Sequence, residues 1–190
     1  MQKNLKLKLV SAVIAALLTA AILGCSSHYS TDSIPAVKNF NVNKYMGKWY
    51  EIARLPHSFE DDVSDAQADY TLLKNGNIEV KNSGFRHGIP VAAYGIARSA
   101  DRSGSGELEV SFFGPFYGMY KIIYLNQDYT LAIVSGSTLN YVWILARKPF
   151  ISRSELALCL EMLKKWGFAV NLLQYPTGMV ESLVIPTDRP

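Results

Sequence analysis

The sequence predicts an all-β protein, an eight-stranded antiparallel up-and-down barrel with one C-terminal α-helix packed on its outside. Two observations lead to this prediction. The first is a series of short β-rich runs separated by turn residues, with no internal repeat after residue 42. The second is a single amphipathic stretch after the last of these runs. A barrel of eight strands is just wide enough to enclose one small ligand.

The β-rich runs are short, and nearly all are joined by tight turns. Asn75-Gly76 is a strong hairpin turn between the second and third runs, and Gly114-Pro115 separates the fifth from the sixth. The predicted strands are 48–55, 66–73, 78–85, 91–99, 107–113, 117–125, 129–135 and 141–147. Consecutive strands joined in this way are expected to be neighbours in an antiparallel sheet.

The predicted helix begins after Ser152, which has capping-box spacing to Glu155. Four apolar residues then recur on one face, namely Leu156, Cys159, Leu160 and Leu163. Gly167 is placed to end the helix. We expect this helix to pack on the barrel, with Cys159 as a small buried apolar residue. Apolar runs in residues 170–186 leave a short ninth strand open.

Period-two alternation predicts which side chains face the barrel interior. Glu109 and Lys121, for example, mark the outer face of their strands. The residues assigned to the interior, and therefore to ligand binding, are Tyr70, Ile78, Val80, Asn82, Leu108, Val110, Phe112, Tyr120, Ile122 and Tyr124. An apolar cavity with a few polar groups is typical of small-ligand sites. The alternative is that the tyrosines lie near the barrel mouths and reach water.

The first 24 residues have the pattern of a signal peptide. Lys3, Lys6 and Lys8 precede an apolar stretch that is too short for a comfortable membrane span. The stretch ends at Gly24-Cys25, which resembles the bacterial lipoprotein cleavage box, where the cysteine becomes the lipidated N-terminus. We therefore expect a signal peptide over 1–24, a lipidated N-terminus and tether over 25–41, and one domain over 42–190. The alternative is an ordinary secretory signal with a chance cysteine.

Charge and composition argue against several classes of function. The formal net charge is +3, but the first 24 residues hold three basic residues and no acidic ones, so the remainder has 16 of each. A neutral mature chain does not favour a nucleic-acid partner. His28, His57 and His87 are scattered, with no metal-ligand spacing, so we expect neither a metal nor another cofactor. His57 and His87 are the only candidates for a haem ligand, and both are predicted in loops.

Three short motifs in order resemble the lipocalin signature. They are Gly47-x-Trp49 at the first strand, Asp128-Tyr129 at the turn before the seventh, and Arg147 just past the eighth. Segments 114–118 and 141–149 resemble bacterial outer-membrane lipocalins and their relative apolipoprotein D, and the resemblance covers roughly residues 40 to 175. It implies that Trp49 closes one barrel end with the Arg147 guanidinium across its ring.

The resemblance also implies a function and a location. The chain would be a non-enzymatic, lipid-anchored protein that stores or transports a fatty acid or lysophospholipid at the outer membrane of a Gram-negative bacterium, on the periplasmic side. A homodimer is left open. The alternatives are a lipocalin-fold enzyme or haem carrier, or a structural lipoprotein with a filled barrel. One departure concerns Phe59-Glu60, which is followed here by Asp61 and Asp62 where bacterial relatives commonly carry a basic residue.

Overall fold

Eight antiparallel strands close into a barrel in which each strand pairs with its neighbours along the chain and the eighth pairs with the first. The computed structural model describes residues 29–57, 62–100 and 104–175. The chain divides into units 1–30 and 31–190, and the barrel belongs to the second. The strands are β1 Gly47–Arg54, β2 Val63–Leu72, β3 Ile78–Arg86, β4 Ile89–Ser99, β5 Glu107–Phe113, β6 Phe116–Leu125, β7 Leu131–Ser135 and β8 Val142–Ala146. The predicted fold class is confirmed.

The up-and-down topology gives the barrel two different ends. The connections after β2, β4 and β6 lie at one end, here called the closed end. The connections after β3, β5 and β7 lie at the opposite end, here called the mouth. The turn before β7 is longer than predicted, because the Asn126 side chain accepts hydrogen bonds from the amides of Thr130 and Leu131. Strand β7 therefore begins at Leu131 rather than at residue 129.

Two α-helices flank the barrel sequence. Helix α1, Val42–Tyr45, is a single turn capped by the Asn41 side chain. Helix α2, Arg153–Lys165, begins with both halves of the predicted capping box in place. It ends before Gly167, whose φ of +88° is a left-handed conformation that glycine adopts without strain.

The segment after α2 does not form the ninth strand that was left open, as far as it is described. It contains a 3₁₀ turn at Val170–Leu172 and one bridge between Gln174 and Arg54 of β1. Residues 176–186 lie outside the described part of the chain. Within the described ranges, no helix is both long and apolar enough to cross a membrane.

The apolar core consists of an inner and an outer cluster. The inner cluster fills the closed end of the barrel around Trp49, Tyr70 and Ile122. The outer cluster lies between the barrel wall and α2, around Ile133, Ile144 and Cys159. Strands β7 and β8 contribute to both clusters, which explains why their sequences are apolar on both faces. Burial raises the pKa of the Cys159 thiol to about 12. This cysteine is therefore a protonated, unreactive side chain of the core at neutral pH.

Residues 31–40 form a packed strap, which corrects the tether predicted to extend to Asn41. Ile34 belongs to the outer cluster, whereas Val37 and Phe40 pack against the inner cluster at the closed end. Thr31 is buried and bonds to the carbonyls of Gly136 and Ser137 in the β7–β8 connection. Farther along, the Val37 amide donates to the carbonyl of Ile122 in β6, and the Val37 carbonyl accepts from the amide of Gly106. The packed domain therefore begins at Thr31, about ten residues earlier than position 42.

Candidate functional site

The closed end of the barrel is sealed by Trp49 beneath the guanidinium of Arg147. Trp49 is fully buried, and its indole Nε1 donates to the carbonyl of Tyr45 at 2.8 Å. The Arg147 guanidinium carbon lies 4.0 Å from the centre of the Trp49 ring, a cation–π contact. Arg147 also donates to four backbone carbonyls at 2.7–3.1 Å, those of Lys44, Tyr45, Lys48 and Tyr129. One side chain thus joins α1, β1 and the β6–β7 turn.

The other signature residues lie around this contact. Gly47 has a φ of +87°, and a Cβ built there would lie 3.6 Å from Arg147 Nη1. Asp128 is exposed in the turn directly before Tyr129, whose carbonyl accepts from Arg147 Nε. Partial burial lowers the pKa of Arg147 from its ordinary value, while Tyr45 and Tyr70 act in the opposite direction. This arrangement closes and ties the barrel end, and it faces away from the mouth.

Above Trp49, three tyrosines form a hydrogen-bonded floor inside the barrel. The hydroxyl of Tyr120 lies 2.7 Å from that of Tyr45 and 2.9 Å from that of Tyr70. Burial raises the pKa of Tyr45 and of Tyr120 well above the ordinary value of a phenol. The three hydroxyl groups therefore satisfy one another's hydrogen bonding deep in the barrel. The alternative, that the tyrosines lie near the barrel mouths and reach water, does not apply to these three residues. Tyr45 lies in α1, before β1, so the period-two alternation of the strands does not indicate that it faces inward.

Nine of the ten residues assigned to the interior face it, as their membership of the inner cluster or their strand register shows. Tyr70, Ile78, Val80, Leu108 and Ile122 are buried, whereas Val110, Phe112 and Tyr120 are partly buried. Asn82 is half-buried and pairs with Ala68, which belongs to the inner cluster. Whether these side chains touch a ligand stays a prediction.

The prediction that Tyr124 points inward is wrong. A β-bulge between Ile122 and Tyr124 shifts the register of β6 against β7 by one residue. Tyr124 therefore pairs with Ile133 and packs against the outer cluster. There its pKa is raised by burial and by the nearby Cys159 and Glu155.

The half of the interior near the mouth is more accessible than the floor. Six inward-facing residues there are partly or fully accessible, and together they are called the upper chamber: Asn82, Ala93, Val110, Phe112, Gly118 and Trp143. Two of them, Ala93 and Gly118, are small residues. A Cβ built on Gly118 would have no atom nearer than the Val110 carbonyl oxygen, at 3.9 Å. Open space at Gly118, beside apolar walls, is what a small apolar guest would need.

A charged pair lies within the barrel near the upper chamber. Glu51 and Arg54 of β1 are both buried and form an ion pair, and Arg54 Nη2 also donates to the Val63 carbonyl at 3.3 Å. Register places Arg54 opposite Trp143, whose ring centre lies 5.2 Å from that of His57. Because the two charges offset each other, the pair adds polarity to the chamber wall with no net charge.

The histidines are separated by the fold. His57 follows β1 in a loop, as predicted, but its side chain is buried beside Trp143. His87 is exposed in the β3–β4 turn, 3.8 Å from Asp62. No group of three histidine, cysteine, aspartate or glutamate residues that could hold a metal occurs among the residues that are described. His28, the lipidation candidate Cys25 and the residues Phe59, Glu60 and Asp61 lie outside them.

Comparison with known proteins gives one consistent family. The family model for a lipocalin-like domain matches residues 40–177. The chain is 40% identical to the outer membrane lipoprotein Blc of Vibrio cholerae, with 86% of this chain and 96% of that protein covered. It is 38% identical to the Escherichia coli K12 protein of the same name, over 87% of this chain and 93% of that one. Rat apolipoprotein D is 36% identical, over 75% and 79% of the two chains.

Solved structures agree on the fold. Insecticyanin from the tobacco hornworm Manduca sexta superposes with a TM-score of 0.64 at 19% identity, over 75% of this chain and 83% of its own. A cockroach allergen, Per a 4, gives a TM-score of 0.60 at 22% identity, over 75% of this chain and 90% of its own. With the sealed closed end, the eight-stranded barrel and the sequence matches in agreement, the chain belongs to the lipocalin family.

Proposed function

We propose that this lipocalin is a lipid-anchored binding protein that holds one acyl chain, from a fatty acid or a lysophospholipid, in the upper chamber of its barrel. The observation that carries the proposal is the contrast within the interior. The floor is filled by buried aromatic and aliphatic side chains, whereas the upper chamber combines accessible apolar walls with the small residues Ala93 and Gly118. A structural barrel would be filled along its whole length.

The free energy gained by burying an acyl chain is sufficient for physiological binding. Each buried methylene contributes about 0.8 kcal/mol, so a chain of about 16 carbons gains about 12 kcal/mol when fully enclosed. Association and ordering cost about 4 kcal/mol or more. The remaining 8 kcal/mol or so corresponds to a dissociation constant of about 1 μM. Affinity is therefore expected to rise with chain length until the chamber is full.

The polar end of the ligand would lie toward the mouth. The floor is occupied by the three tyrosines, whose hydroxyls already bond to one another. Near the mouth, Asn82 and the Glu51–Arg54 pair supply polar groups beside apolar walls. Since Arg54 is already paired with Glu51, a zwitterionic or neutral headgroup is accommodated as readily as a carboxylate.

The anchor and the location are part of the same proposal. The Gly24-Cys25 cleavage box would place a lipidated cysteine six residues before the ordered strap. Relatives at 38–40% identity are named outer membrane lipoproteins, which supports the same location for this chain. Storage or transport of a lipid at that membrane, rather than catalysis, is the activity that such a chamber supports.

The central experiment is displacement of an environment-sensitive fluorescent fatty acid by a series of saturated fatty acids and lysophospholipids. Val110→Arg would place an unpaired charge in the upper chamber and is expected to weaken binding at least about tenfold. Met119→Arg is the matched control, because Met119 lies on the outer face of β6 one residue from Gly118, which pairs with Val110. It should bind like the unaltered protein.

A second variant keeps the test decisive if Val110→Arg does not fold. Gly118→Leu has room for its Cβ and would shorten the chamber. The chain length that binds best should then decrease, with no loss of thermal stability. Flat affinity across the series in folded, delipidated protein would refute acyl-chain binding and favour a filled barrel. Mass spectrometry of organic extracts from protein purified under native conditions would then identify any other cargo.

A further inference from the structure

The outer face of the β3–β4 hairpin carries a groove of about 290 Å³, here called the outer groove. Three cross-strand pairs point outward there, alternating with pairs that face the barrel interior, namely Phe85 with Pro90, Ser83 with Ala92, and Lys81 with Tyr94. The middle pair is small, so the larger side chains on either side of it form the two walls. The groove therefore runs across the strands of the hairpin rather than along them.

The walls of the outer groove are apolar and accessible. Phe85 is 41% exposed and Tyr94 is 63% exposed, although both are large aromatic side chains. Pro90 and Ala92 are exposed as well. The Lys81 ammonium nitrogen lies 6.0 Å from the centre of the Tyr94 ring and adds a positive charge to this wall. Accessible apolar side chains grouped on one surface mark a place where another segment or molecule binds.

The floor of the groove continues across β2 to β1. Ser83 of β3 pairs with Gln67 of β2, which also lines the groove, and Gln67 pairs with Tyr50 of β1. One row across four neighbouring strands therefore contains Ala92, Ser83, Gln67 and Tyr50. With about 4.8 Å between neighbouring strands, this row is about 14 Å long. One end of the outer groove thus opens toward β1.

The chain returns to β1 close to this row after helix α2. Gln174 and Arg54 exchange two backbone hydrogen bonds. Arg54 lies four residues from Tyr50 in β1, which is about 13 Å along the strand. Gln174 is therefore about 20 Å from the far end of the groove at Ala92, a distance that six or seven extended residues span.

The segment that follows contains an apolar run. Fifteen residues, 176–190, follow Tyr175 in the sequence, and residues 179–185 hold five apolar side chains among seven, in the order Met-Val-Glu-Ser-Leu-Val-Ile. The lipocalin-like family model ends at residue 177, so this run lies outside the part of the chain that the family model describes. Val184 is ten residues beyond Gln174, which is enough to reach any part of the outer groove.

The charges of the groove and of the run are opposite. Among the described residues that line the groove, Lys81 is the one charged residue. Its cross-strand neighbour Asp69 is shared with Lys48, whose ammonium nitrogen lies 3.6 Å from an Asp69 carboxylate oxygen. Glu181 is the one charged residue of the run 179–185. An exposed pair of Lys81 and Glu181 would favour docking modestly, and apolar contacts would supply most of the binding free energy.

We propose that residues 179–185 bind in the outer groove, with their apolar side chains between the Phe85 and Tyr94 walls and Glu181 toward Lys81. The same chain then supplies both the groove and the segment that covers it. Docking of this segment depends neither on the lipidation of Cys25 nor on a bound ligand.

The docked segment would brace a part of the barrel that has few ladder partners. The β4–β5 ladder ends at the pair of Ile96 and Ser111, so residues 89–95 of β4 have their ladder partners in β3 alone. This part of the hairpin carries Ala93, and its partner Asn82, of the upper chamber. A segment lying across β2, β3 and β4 would hold that chamber wall in place.

The first experiment is disulfide cross-linking in the full chain. Val184→Cys is combined with Ala92→Cys or, as the control, with Thr71→Cys, which is exposed on the outer face of β2 outside the groove. Position 71 is about 27 Å from Gln174, and ten extended residues span about 33 Å, so both positions are within reach. Under mild oxidation the 92–184 disulfide should form at least about tenfold faster than the 71–184 disulfide, because docking raises the effective concentration of the thiols.

Mass spectrometry of non-reduced peptides identifies the partners in each disulfide. Cys159 is buried and should not compete. Equal rates at positions 92 and 71 would refute docking. Disulfides that join two copies, in place of the bond within one chain, would show that a second copy covers the groove and would also refute it.

A charge reversal tests the predicted pair. Lys81→Glu should slow formation of the 92–184 disulfide about threefold, and Glu181→Lys in the same chain should restore the rate. Because both changes are at charged residues outside the core, the melting temperature serves as the check on folding. A rate that Glu181→Lys does not restore would contradict the pairing of Lys81 with Glu181.

The second experiment needs no new cysteine and measures hydrogen exchange of the backbone amides in residues 83–94. The variant Leu183→Ser, Val184→Ser, Ile185→Ser should exchange at least about threefold faster there than the unaltered protein. The control Thr187→Ser, Asp188→Ser, Arg189→Ser changes three residues of the same segment outside the apolar run and should exchange normally. Equal exchange in all three proteins would overturn the proposal that this segment covers the hairpin.

Discussion

Arg147→Lys tests whether the closed end is a structural seal or part of the ligand site. Arg147 donates four hydrogen bonds to backbone carbonyls and covers the Trp49 ring at 4.0 Å. A lysine keeps the charge but not the planar fork, so it can maintain only a minority of these bonds. Each of two or three lost hydrogen bonds costs about 1 kcal/mol, and the weaker ring contact costs about 1 kcal/mol more. The free energy of unfolding should therefore fall by about 3 kcal/mol. For a domain of this size the melting temperature should fall by about 6–12 °C.

The matched control for that variant is Arg98→Lys. The Arg98 guanidinium carbon also lies 4.0 Å from an aromatic ring, that of Tyr117, and it pairs with Glu109, but its side chain is half-exposed. The free energy of unfolding of Arg98→Lys should fall by about 1 kcal/mol or less, because water screens the interaction. Melting is followed by circular dichroism, and binding by fluorescent fatty-acid displacement. Normal melting with abolished binding in Arg147→Lys would show that the arginine serves the ligand, and would refute the seal.

Two further predictions concern the anchor and the tyrosine floor. Cys25→Ser should leave unprocessed precursor or soluble protein when membranes are fractionated, and recovery of this variant in the outer membrane like the unaltered protein would contradict lipidation. The folded-state pKa values of Tyr45 and Tyr120 lie above the unfolded value of about 10, so their contribution to stability should be complete below pH 10 and be lost as the pH rises through the raised values. Tyr45→Phe should therefore make the decline in urea-unfolding free energy above pH 10 shallower, and an unchanged slope would show that the floor does not titrate with unfolding.

Much of the barrel was predictable because its local signals agree with one another. The helix signals at Ser152, Glu155 and Gly167 describe the actual ends of α2, and period-two alternation identified nine inward-facing residues. The Gly47, Trp49 and Arg147 motifs converge at one barrel end. Each of these features depends on neighbouring residues in the sequence or on strand periodicity, which can be read without the fold.

The features that escaped prediction depend on contacts distant in sequence. The strap buries Thr31 and Ile34 and is held by backbone hydrogen bonds. Its sequence has neither the period of a strand nor that of a helix, so the pattern indicates a polar linker. Tyr124 was misassigned because a one-residue bulge reverses every later side chain in the strand. The buried Glu51–Arg54 pair left a visible signal, two opposite charges three residues apart in one strand. The bulge after Glu51 hid that both side chains face inward.

Closure of the barrel between its first and last strands has a consequence for the timing of folding. Tyr50 of β1 pairs with Ala146 of β8, about 100 residues later in the chain. A contact of such separation closes a long loop, so folding is expected to be slow compared with that of a helical protein of the same size. During synthesis, β1 must wait without its final partner until nearly the entire domain has been made. The nascent chain therefore stays unfolded, and exposed to aggregation, until its C-terminal strands emerge.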